Sequence, residues 1–239
     1  MTTDRRWNGW GAPGVDAALP PRARQMLVDV VGAGTPPRDA TLEESAASVP
    51  RSRIGSEDGL SLDPVDRIRH ARGQDVLDWI AVRSGRIPAV PDAVARPRDA
   101  AGARGLLTRA TAAGWTLVPF GGGTSVVGGV TTVRSERPVV SVDMRATSGL
   151  RTLDDVSGLA TFGAGTLGPD VEAALQVHGR TLGHFPQSFE FSTVGGWVVT
   201  RSAGQQSMGF GRMEALFACG HLETPMGPLG LPAIPASAA

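Results

Sequence analysis

Apolar and polar positions in the middle of the chain predict a β-α-β unit. Short apolar runs at residues 89–95 and 117–120 predict two strands. Between them, Asp99 is a suitable helix cap and Gly114 a suitable helix stop. The apolar stripe of the intervening helix consists of Ala103, Leu106, Leu107 and Ala110.

Weaker patterns extend this unit in both directions. Apolar runs at residues 139–142 and 159–162 predict strands with hairpin-like spacing, and helices are expected near residues 22–31 and 73–85. Beyond Arg212 the chain has few partners for its apolar side chains, so we expect them to be exposed. This order of elements favours an α+β fold.

Candidate chemistry begins at the glycine-rich loop after the strand at residues 117–120. The three glycines from Gly121 to Gly123 let the backbone take positive φ and turn successive N–H groups toward one point. Thr124 and Ser125 add neutral hydroxyl donors. Because α/β proteins bind ligands at the carboxyl ends of strands, the loop predicts a phosphate site.

Two common phosphate motifs do not fit this loop or its surroundings. All 23 basic residues are arginine, so a nucleoside-triphosphate loop would lack its lysine. A dinucleotide fingerprint at residues 31–34 has Pro37 in place of its third glycine, and we interpret it as a helix end. A structural turn without a ligand explains the loop equally well until other segments support it.

A second glycine-rich segment, residues 163–172, precedes a predicted helix. Pro169 suits the first helical position and Gly179 suits its end. The acidic first turn, with Asp170 and Glu172, would repel a phosphate. A plain connection therefore explains this segment as well as a ligand site does.

A third segment, residues 183–204, is dense in glycines and small hydroxyl side chains. Ser192 or Thr193 can cap a short helix, whose first turn would offer free N–H groups to a bulky anion. Arg201 is a candidate phosphate donor. The alternative is a tight packing site that needs small residues. His184 lies close to these residues in sequence.

Together these segments resemble the flavin-binding, PCMH-type domain of the vanillyl-alcohol oxidase and p-cresol methylhydroxylase superfamily. Within it, the chain is most similar to the alkyldihydroxyacetonephosphate synthase family. The resemblance lies in residues 119–129 and 187–196 and in the run Thr200-Arg201-Ser202-Ala203, with less specific matches at residues 6–11 and 63–73.

The resemblance implies a vanillyl-alcohol oxidase-like fold of two small α+β subdomains. We expect an N-terminal extension with helices at residues 1–84 and an FAD-binding domain at residues 85–239 that is incomplete at its C-terminus. The resemblance also implies bound FAD, with its pyrophosphate on residues 119–125. The cofactor-binding residues that it implies are Pro119, Phe120, Gly121, Gly122, Gly123, Thr124, Ser125, Gln187, Ser188, Phe189, Glu190, Phe191, Ser192, Thr193, Gly195, Gly196, Thr200, Arg201, Ser202 and Ala203.

Three functions are compatible with this resemblance. The first is the FAD-binding part of an ether-lipid type synthase, which exchanges an acyl for an alkyl chain on a lipid-like substrate. The second is an FAD-linked dehydrogenase of 2-hydroxy acids or alcohols. The third is a flavin-binding fragment without catalysis, because the chain has no tyrosine and lacks the family's substrate domain. We therefore assign no catalytic residue.

The composition limits the classes of molecule that the protein is expected to bind. The formal net charge is zero, so no nucleic acid is expected. The four histidines lack ligand spacing, and no metal is expected. The one cysteine, Cys219, suits a small buried position in a reducing compartment. With no apolar run of membrane length and no secretory signal, we expect a soluble cytoplasmic protein, and a homodimer is left open.

Overall fold

The structure is a computed structural model that describes residues 5–15, 18–35 and 38–232. It alternates helices with short strands. The helices are α1 (Pro21–Val31), α2 (Leu42–Ala47), α3 (Pro64–Arg69), α4 (Val76–Ser84), α5 (Ala100–Ala113), α6 (Gly168–Gln176), α7 (Val194–Thr200), α8 (Ser207–Phe210) and α9 (Met213–Leu216). The strands are β1 (Leu60–Ser61), β2 (Ala93–Ala95), β3 (Thr116–Phe120), β4 (Val139–Asp143), β5 (Leu150–Asp154), β6 (Leu159–Phe162), β7 (Gly220–Thr224) and β8 (Gly227–Leu231).

The largest sheet has the strand order β1-β2-β4-β3. β4 runs parallel to both β2 and β3, whereas β1 pairs antiparallel with β2. All five residues of β4 are buried, as expected for a central parallel strand covered on both faces. Phe120 of β3 lies opposite Asp143 of β4, so the carboxyl ends of these strands meet at one edge.

α5 connects β2 to β3 and packs its apolar stripe on this sheet. The carboxylate of Asp99 caps the helix by accepting from the Gly102 N–H at 2.8 Å, and Gly114 ends it at a φ of +70°. Leu106 and Ala110 are buried, which confirms the predicted stripe. The core under this helix comprises Ile54, Ala93, Ala95, Leu106, Val140 and Val142.

A second core lies farther along the chain, where α6, α7 and α9 pack together. It comprises Val171, Leu175, Trp197 and Met213. The antiparallel β5–β6 hairpin packs against it through Leu153 and Phe162, whereas the antiparallel β7–β8 hairpin lies against α5. The mixture of helices with parallel and antiparallel strands agrees with the predicted α+β class.

Several predicted boundaries were wrong. The strand predicted at residues 89–95 spans only Ala93–Ala95. α4 begins at Val76 rather than near Gly73, because Asp75 caps it through the Asp78 N–H at 2.7 Å. Cys219 is half-buried rather than buried.

The N-terminal region is only partly a loose extension. α1 has no buried residue. Ile54, however, belongs to the first core, and β1 adds a strand to the largest sheet. Residues before position 62 therefore contribute to the packing of the later chain.

Helices in the described ranges are short. α5, with 14 residues, is the longest of them. None of them combines the length and apolar character that crossing a bilayer requires.

Candidate functional site

The predicted glycine loop lies at the carboxyl edge of the largest sheet and packs against the predicted third segment. A Cβ at Gly122 would overlap the backbone carbonyl of Phe191, and one at Gly121 would overlap the Thr193 hydroxyl. Gly123 has a φ of +64°, which favours glycine. The structure thus brings the loop and residues 191–193 together, although they are far apart in sequence.

Five successive amide groups of this loop lack an acceptor within residues 5–15, 18–35 and 38–232. Among the described residues, none accepts a hydrogen bond from the N–H groups of Gly121, Gly122, Gly123, Thr124 or Ser125. Polar backbone groups that remain unpaired in a folded protein need water or a ligand. Successive free N–H groups are the donor set of a backbone anion site.

Arg5 binds this loop from the carbonyl side. Its Nη1 donates to the Gly122 carbonyl at 2.5 Å and to the Gly123 carbonyl at 3.1 Å. Because each trans peptide unit is planar, its N–H points opposite to its C=O. Holding these two carbonyls therefore turns the N–H groups of Gly123 and Thr124 away from Arg5, toward the free side of the loop.

The predicted hydroxyl donors differ in what they do. The Ser125 Oγ accepts from the Gly129 N–H at 3.0 Å and so folds the turn after the loop. Its own proton is still available for donation. The Ser125 carbonyl accepts from the Gln74 N–H at 2.7 Å, which fixes the loop to the start of α4. Thr124 is half-buried beside these groups.

A buried ionic network lies under the loop. His70 donates through Nδ1 to the Asp66 carbonyl at 2.7 Å, and its Nε2 lies 3.1 Å from the Asp143 carboxylate. Both ring nitrogens therefore face acceptors, which favours the doubly protonated imidazolium. The ring packs on Phe120, with 4.8 Å between ring centroids, directly before Gly121.

Two arginines complete this network. Arg145 binds both carboxylate oxygens of Asp143, at 2.7 and 2.9 Å. Arg96 binds the Asp66 carboxylate through two nitrogens and reaches Asp143 at 3.3 Å. With Arg5, three guanidinium groups thus lie near two carboxylates, and the carboxyl edge of the sheet carries an excess of positive charge.

The network shifts the pKa values of its members. Burial opposes the charge of His70, but hydrogen bonds to Asp143 and Asp66 outweigh it and raise the pKa of His70. Burial likewise opposes the charge of Asp143, yet hydrogen bonds from His70 and Arg145 hold the pKa of this carboxyl well below its usual range. Burial and the nearby charges of Arg145 and Arg69 lower the pKa of Arg5 to about 10.

Residues 187–193 form a compact turn whose hydroxyl groups serve the fold. The Ser192 Oγ accepts from the Trp197 indole N–H at 2.7 Å. The Thr193 Oγ1 caps α7 and accepts from the Gly196 N–H at 3.4 Å. Phe191 is buried, whereas Gln187 and Glu190 are exposed. Of this segment, the residues from Phe191 to Thr193 approach the glycine loop.

The expectation of free N–H groups at the start of α7 was wrong. The Val194 N–H donates to the Thr166 carbonyl at 3.0 Å, and the Gly195 N–H donates to the Ala164 carbonyl at 2.7 Å. A side chain at position 195 would not fit this close approach, because its Cβ would lie 2.9 Å from the Cβ of Ala164. Close packing, the alternative considered from the sequence, explains this helix start.

At the other end of α7, the predicted phosphate donor Arg201 has another partner. Its guanidinium lies 3.4 Å from the Glu214 carboxylate, and its side chain is 72% exposed. Thr200 donates its hydroxyl to the Gly196 carbonyl at 2.8 Å, and Ala203 is exposed. Seven helical residues, or about 10 Å, separate this end from the start of α7.

Ser202 is bound to a buried histidine. The His184 Nε2 lies 2.7 Å from the Ser202 Oγ, and its ring packs edge-on against Trp197 at 5.0 Å between centroids. Burial lowers the pKa of His184, so its ring is neutral near pH 7. The Nδ1 is buried and has no hydrogen-bond partner among the described residues.

The second glycine-rich segment is a packing element. A Cβ at Gly163 or Gly165 would collide with the backbone of residues 144–148. The Glu172 carboxylate, in the acidic helix start, accepts from the Thr181 hydroxyl at 2.7 Å and from the N–H groups of Leu182 and Gly183. Of the two explanations considered, the plain connection fits this geometry.

Arg5, His70 and Asp143 were not found by sequence reasoning. Arg5 stands 117 positions before the carbonyl that it binds, and no local pattern marks that contact. His70 and Asp143 are 73 positions apart and meet only through the sheet. The available signal was the position of Asp143 directly after a buried strand, where ligand sites gather.

Two cavities, of about 260 and 490 Å³, lie in the N-terminal region and are lined by residues outside 119–125. Within the described ranges, no three potential metal ligands cluster. A site at the loop is therefore indicated by its free amides, its supporting arginine and its surplus of positive charge. All three fit an anion such as a diphosphate.

Comparisons with known proteins agree with this geometry. A family model described as "FAD binding domain" matches residues 91–224. Alkyldihydroxyacetonephosphate synthase of Trypanosoma brucei brucei is 31% identical over an alignment of 261 positions, which covers 95% of this chain and 42% of the relative. The enzyme of the same name from Dictyostelium discoideum is 37% identical over 174 residues, which cover 73% of this chain and 28% of the relative.

Solved structures show the same likeness. One of alkyldihydroxyacetonephosphate synthase superposes with a TM-score of 0.82 and 29% identity, covering 96% of this chain and 49% of that one. A BBE-like 1 variant of Physcomitrella patens shares the fold, with a TM-score of 0.55 and 19% identity over 80% of this chain and 37% of that one. The chain thus spans less than half the length of these proteins.

Proposed function

Because the chain belongs to the family of FAD binding domains, we propose that it binds FAD as the cofactor-holding part of a flavoprotein resembling alkyldihydroxyacetonephosphate synthase. The match of the family model to residues 91–224 supports flavin binding. The similarity to alkyldihydroxyacetonephosphate synthase over most of the chain supports this type of flavoprotein. The single observation that carries the assignment of FAD is the row of free amides in the glycine loop. A diphosphate is the part of FAD that such a row recognises.

The chain's own residues have distinct tasks in this proposal. The amides of Gly121 to Ser125 hold the diphosphate, and the positive edge of the sheet favours its charge. Phe191 and the neighbouring residues brace the loop. Ser202, about one helix length away, contacts a more distant part of the extended cofactor. The remaining predicted contacts among residues 187–203 stay predictions.

Bound FAD would supply the reactive isoalloxazine ring that this type of enzyme uses. Acyl-to-alkyl exchange on a lipid-like phosphate ester is the whole-protein activity that we propose, with no catalytic residue assigned within this chain. The division at residues 84 and 85, the homodimer and the cytoplasmic location stay predictions.

Titration of the purified protein with flavins tests the proposal. We expect saturable binding of FAD, weaker binding of FMN and the weakest binding of riboflavin, because only FAD offers a diphosphate to the loop. Flavin fluorescence and isothermal titration calorimetry measure the affinities. Riboflavin binding as tightly as FAD would overturn the diphosphate assignment. A folded protein that binds no FAD would overturn the proposed function.

Gly122→Ala probes the loop directly. The new Cβ would overlap the Phe191 carbonyl, so the loop must move, and we expect FAD affinity to fall by more than about tenfold. Gly105→Ala is the matched control, because a Cβ on this exposed turn of α5 meets nothing within 4 Å. Circular dichroism distinguishes a lost site from a lost fold, and equal affinity of both variants contradicts the placement of the diphosphate.

A further inference from the structure

The segment at residues 5–11 contacts both halves of the proposed cofactor site, although it lies outside the family match at residues 91–224. Arg5 binds the carbonyls of the glycine loop. Trp10 packs edge-on against Phe191, with 5.2 Å between ring centroids. The Arg6 N–H donates to the Gly11 carbonyl at 2.9 Å, which closes the segment into a compact turn.

We infer that residues 5–11 form a strap that presets the cofactor site, with Arg5 as the positioning residue for the amides of Gly123 and Thr124. The inference rests on the proposed function, since it names what organises the site that binds FAD. It concerns contacts made entirely within the protein, between residues 5–11 and the two segments of the site.

The contacts of Arg5 favour positioning over direct charge pairing. Its Nη1 donates to two consecutive carbonyls, at 2.5 and 3.1 Å. It also lies beside Gly123, where a Cβ would come within 3.1 Å of its Nη2. The two N–H bonds of Nη1 are fixed in the guanidinium plane, whereas the N–H bonds of a lysine ammonium rotate on a flexible stem. Arg5 therefore constrains the orientation of both peptide units.

Trp10 provides the second attachment through a different element. Phe191 is buried, and its carbonyl is the group against which Gly122 packs. An edge-to-face aromatic pair of this kind adds to the stabilisation that burial provides. The strap thereby holds both the loop and the opposing segment, which also pack directly on each other.

Binding of FAD to charge-altering and charge-conserving variants tests the inference. We expect Arg5→Met to weaken FAD binding about tenfold or more and Arg5→Lys to lose most of the same affinity, because lysine keeps the charge without the fixed planar N–H directions of the guanidinium. Arg22→Met, on the exposed helix α1, is the matched control and should bind as the wild type does. Trp10→Leu should weaken binding by about two- to tenfold.

Salt separates positioning from charge. At about 1 M salt the Debye length falls to roughly 3 Å, so a purely electrostatic contribution of Arg5 should vanish and the variants should converge on the wild type. Positioning predicts that the ratio of affinities between wild type and Arg5→Met persists. Thermal unfolding without flavin checks that each variant is folded. If Arg5→Met does not fold, the affinity of Arg5→Lys at low and high salt provides the test.

The outcomes are distinct. If the wild type binds FAD and Arg5→Met or Arg5→Lys binds it equally well, the strap is overturned and the proposed function stands. The same holds if the affinities of the variants converge on that of the wild type at high salt. A folded wild-type protein that binds no FAD overturns the proposed function, and the strap inference with it.

Discussion

His70 shows how the fold changes the chemistry of one side chain. Its imidazole is buried between the Asp66 and Asp143 carboxylates, with Arg145 and Arg96 bound to the same acids. The raised pKa of His70 means that the folded protein holds a proton that the unfolded chain releases at lower pH. Its stabilising contribution is complete below about pH 6.5 and is lost as pH rises through the folded pKa.

We therefore expect the free energy of unfolding to fall more in the wild type than in His70→Gln as the pH rises above about 6.5. Urea denaturation at several pH values measures this difference. His178→Gln is the control, because His178 is exposed beyond the end of α6. Parallel pH profiles for the wild type and His70→Gln would contradict a buried imidazolium.

Individual residues were predictable only where their task is local. Asp99 was expected to cap one helix and either Ser192 or Thr193 another; Asp99 and Thr193 are the caps, and such caps are predictable because they act on amides three residues away. Arg201 was expected at a phosphate, but its partner is Glu214, which the local pattern does not indicate. Arg5 and Asp143 act across more than 70 positions, and only the folded sheet brings their partners together.

Among the elements, α6 is tied to the segment after it by the buried carboxylate of Glu172. This side chain accepts from the Thr181 hydroxyl and from the N–H groups of Leu182 and Gly183, directly before the third glycine-rich segment. Removing this acceptor leaves the half-buried Leu182 N–H unpaired and takes one of two acceptors from the buried Gly183 N–H, which costs about 1–3 kcal/mol.

We expect Glu172→Ala to lower the unfolding free energy by about that amount and to raise hydrogen exchange at Leu182 and Gly183. Asp170→Ala is the matched change on the same helix turn, where the side chain is exposed. Hydrogen exchange by mass spectrometry and urea denaturation provide the measurements. An unchanged exchange rate at Gly183 would show that the carboxylate does not hold this segment.

Elements were predicted well where hydrophobic period and end signals agree. α5 and β6 match their expected bounds, because a capped stripe and a short apolar run have one interpretation each. β5, α3 and the β7–β8 hairpin were not predicted, since their residues alternate weakly and are mostly exposed or half-buried. The packing role of Gly163 and Gly165 depends on residues 144–148 and could not be derived from their own segment.

At the scale of the whole molecule, the β7–β8 hairpin presents an apolar face. Leu222 and Leu229 are a cross-strand pair, and Leu231 lies on the same side. Each is about half exposed, at 53%, 48% and 46%. The neighbouring residue Glu223 binds Arg104 of α5 through two hydrogen bonds, so the opposite face of the hairpin is already used.

We expect Leu229→Lys to reduce concentration-dependent self-association while leaving the unfolding midpoint nearly unchanged, because about half of the leucine side chain is exposed. Sedimentation velocity and light scattering measure the association. Met208→Lys is the control for a single exposed apolar side chain. A large drop in the unfolding midpoint of Leu229→Lys would show instead that the leucine is packed.

The free amides of the glycine loop have a consequence for how such sites diverge between proteins. An amide donor belongs to every residue type except proline, so substitutions that alter charge or polarity leave it in place. The constraint is one of volume, at Gly121 and Gly122, and its cause is a carbonyl and a hydroxyl about 70 positions later. Related sites are therefore better identified by correlated substitutions in these two distant segments than by any set of charged side chains.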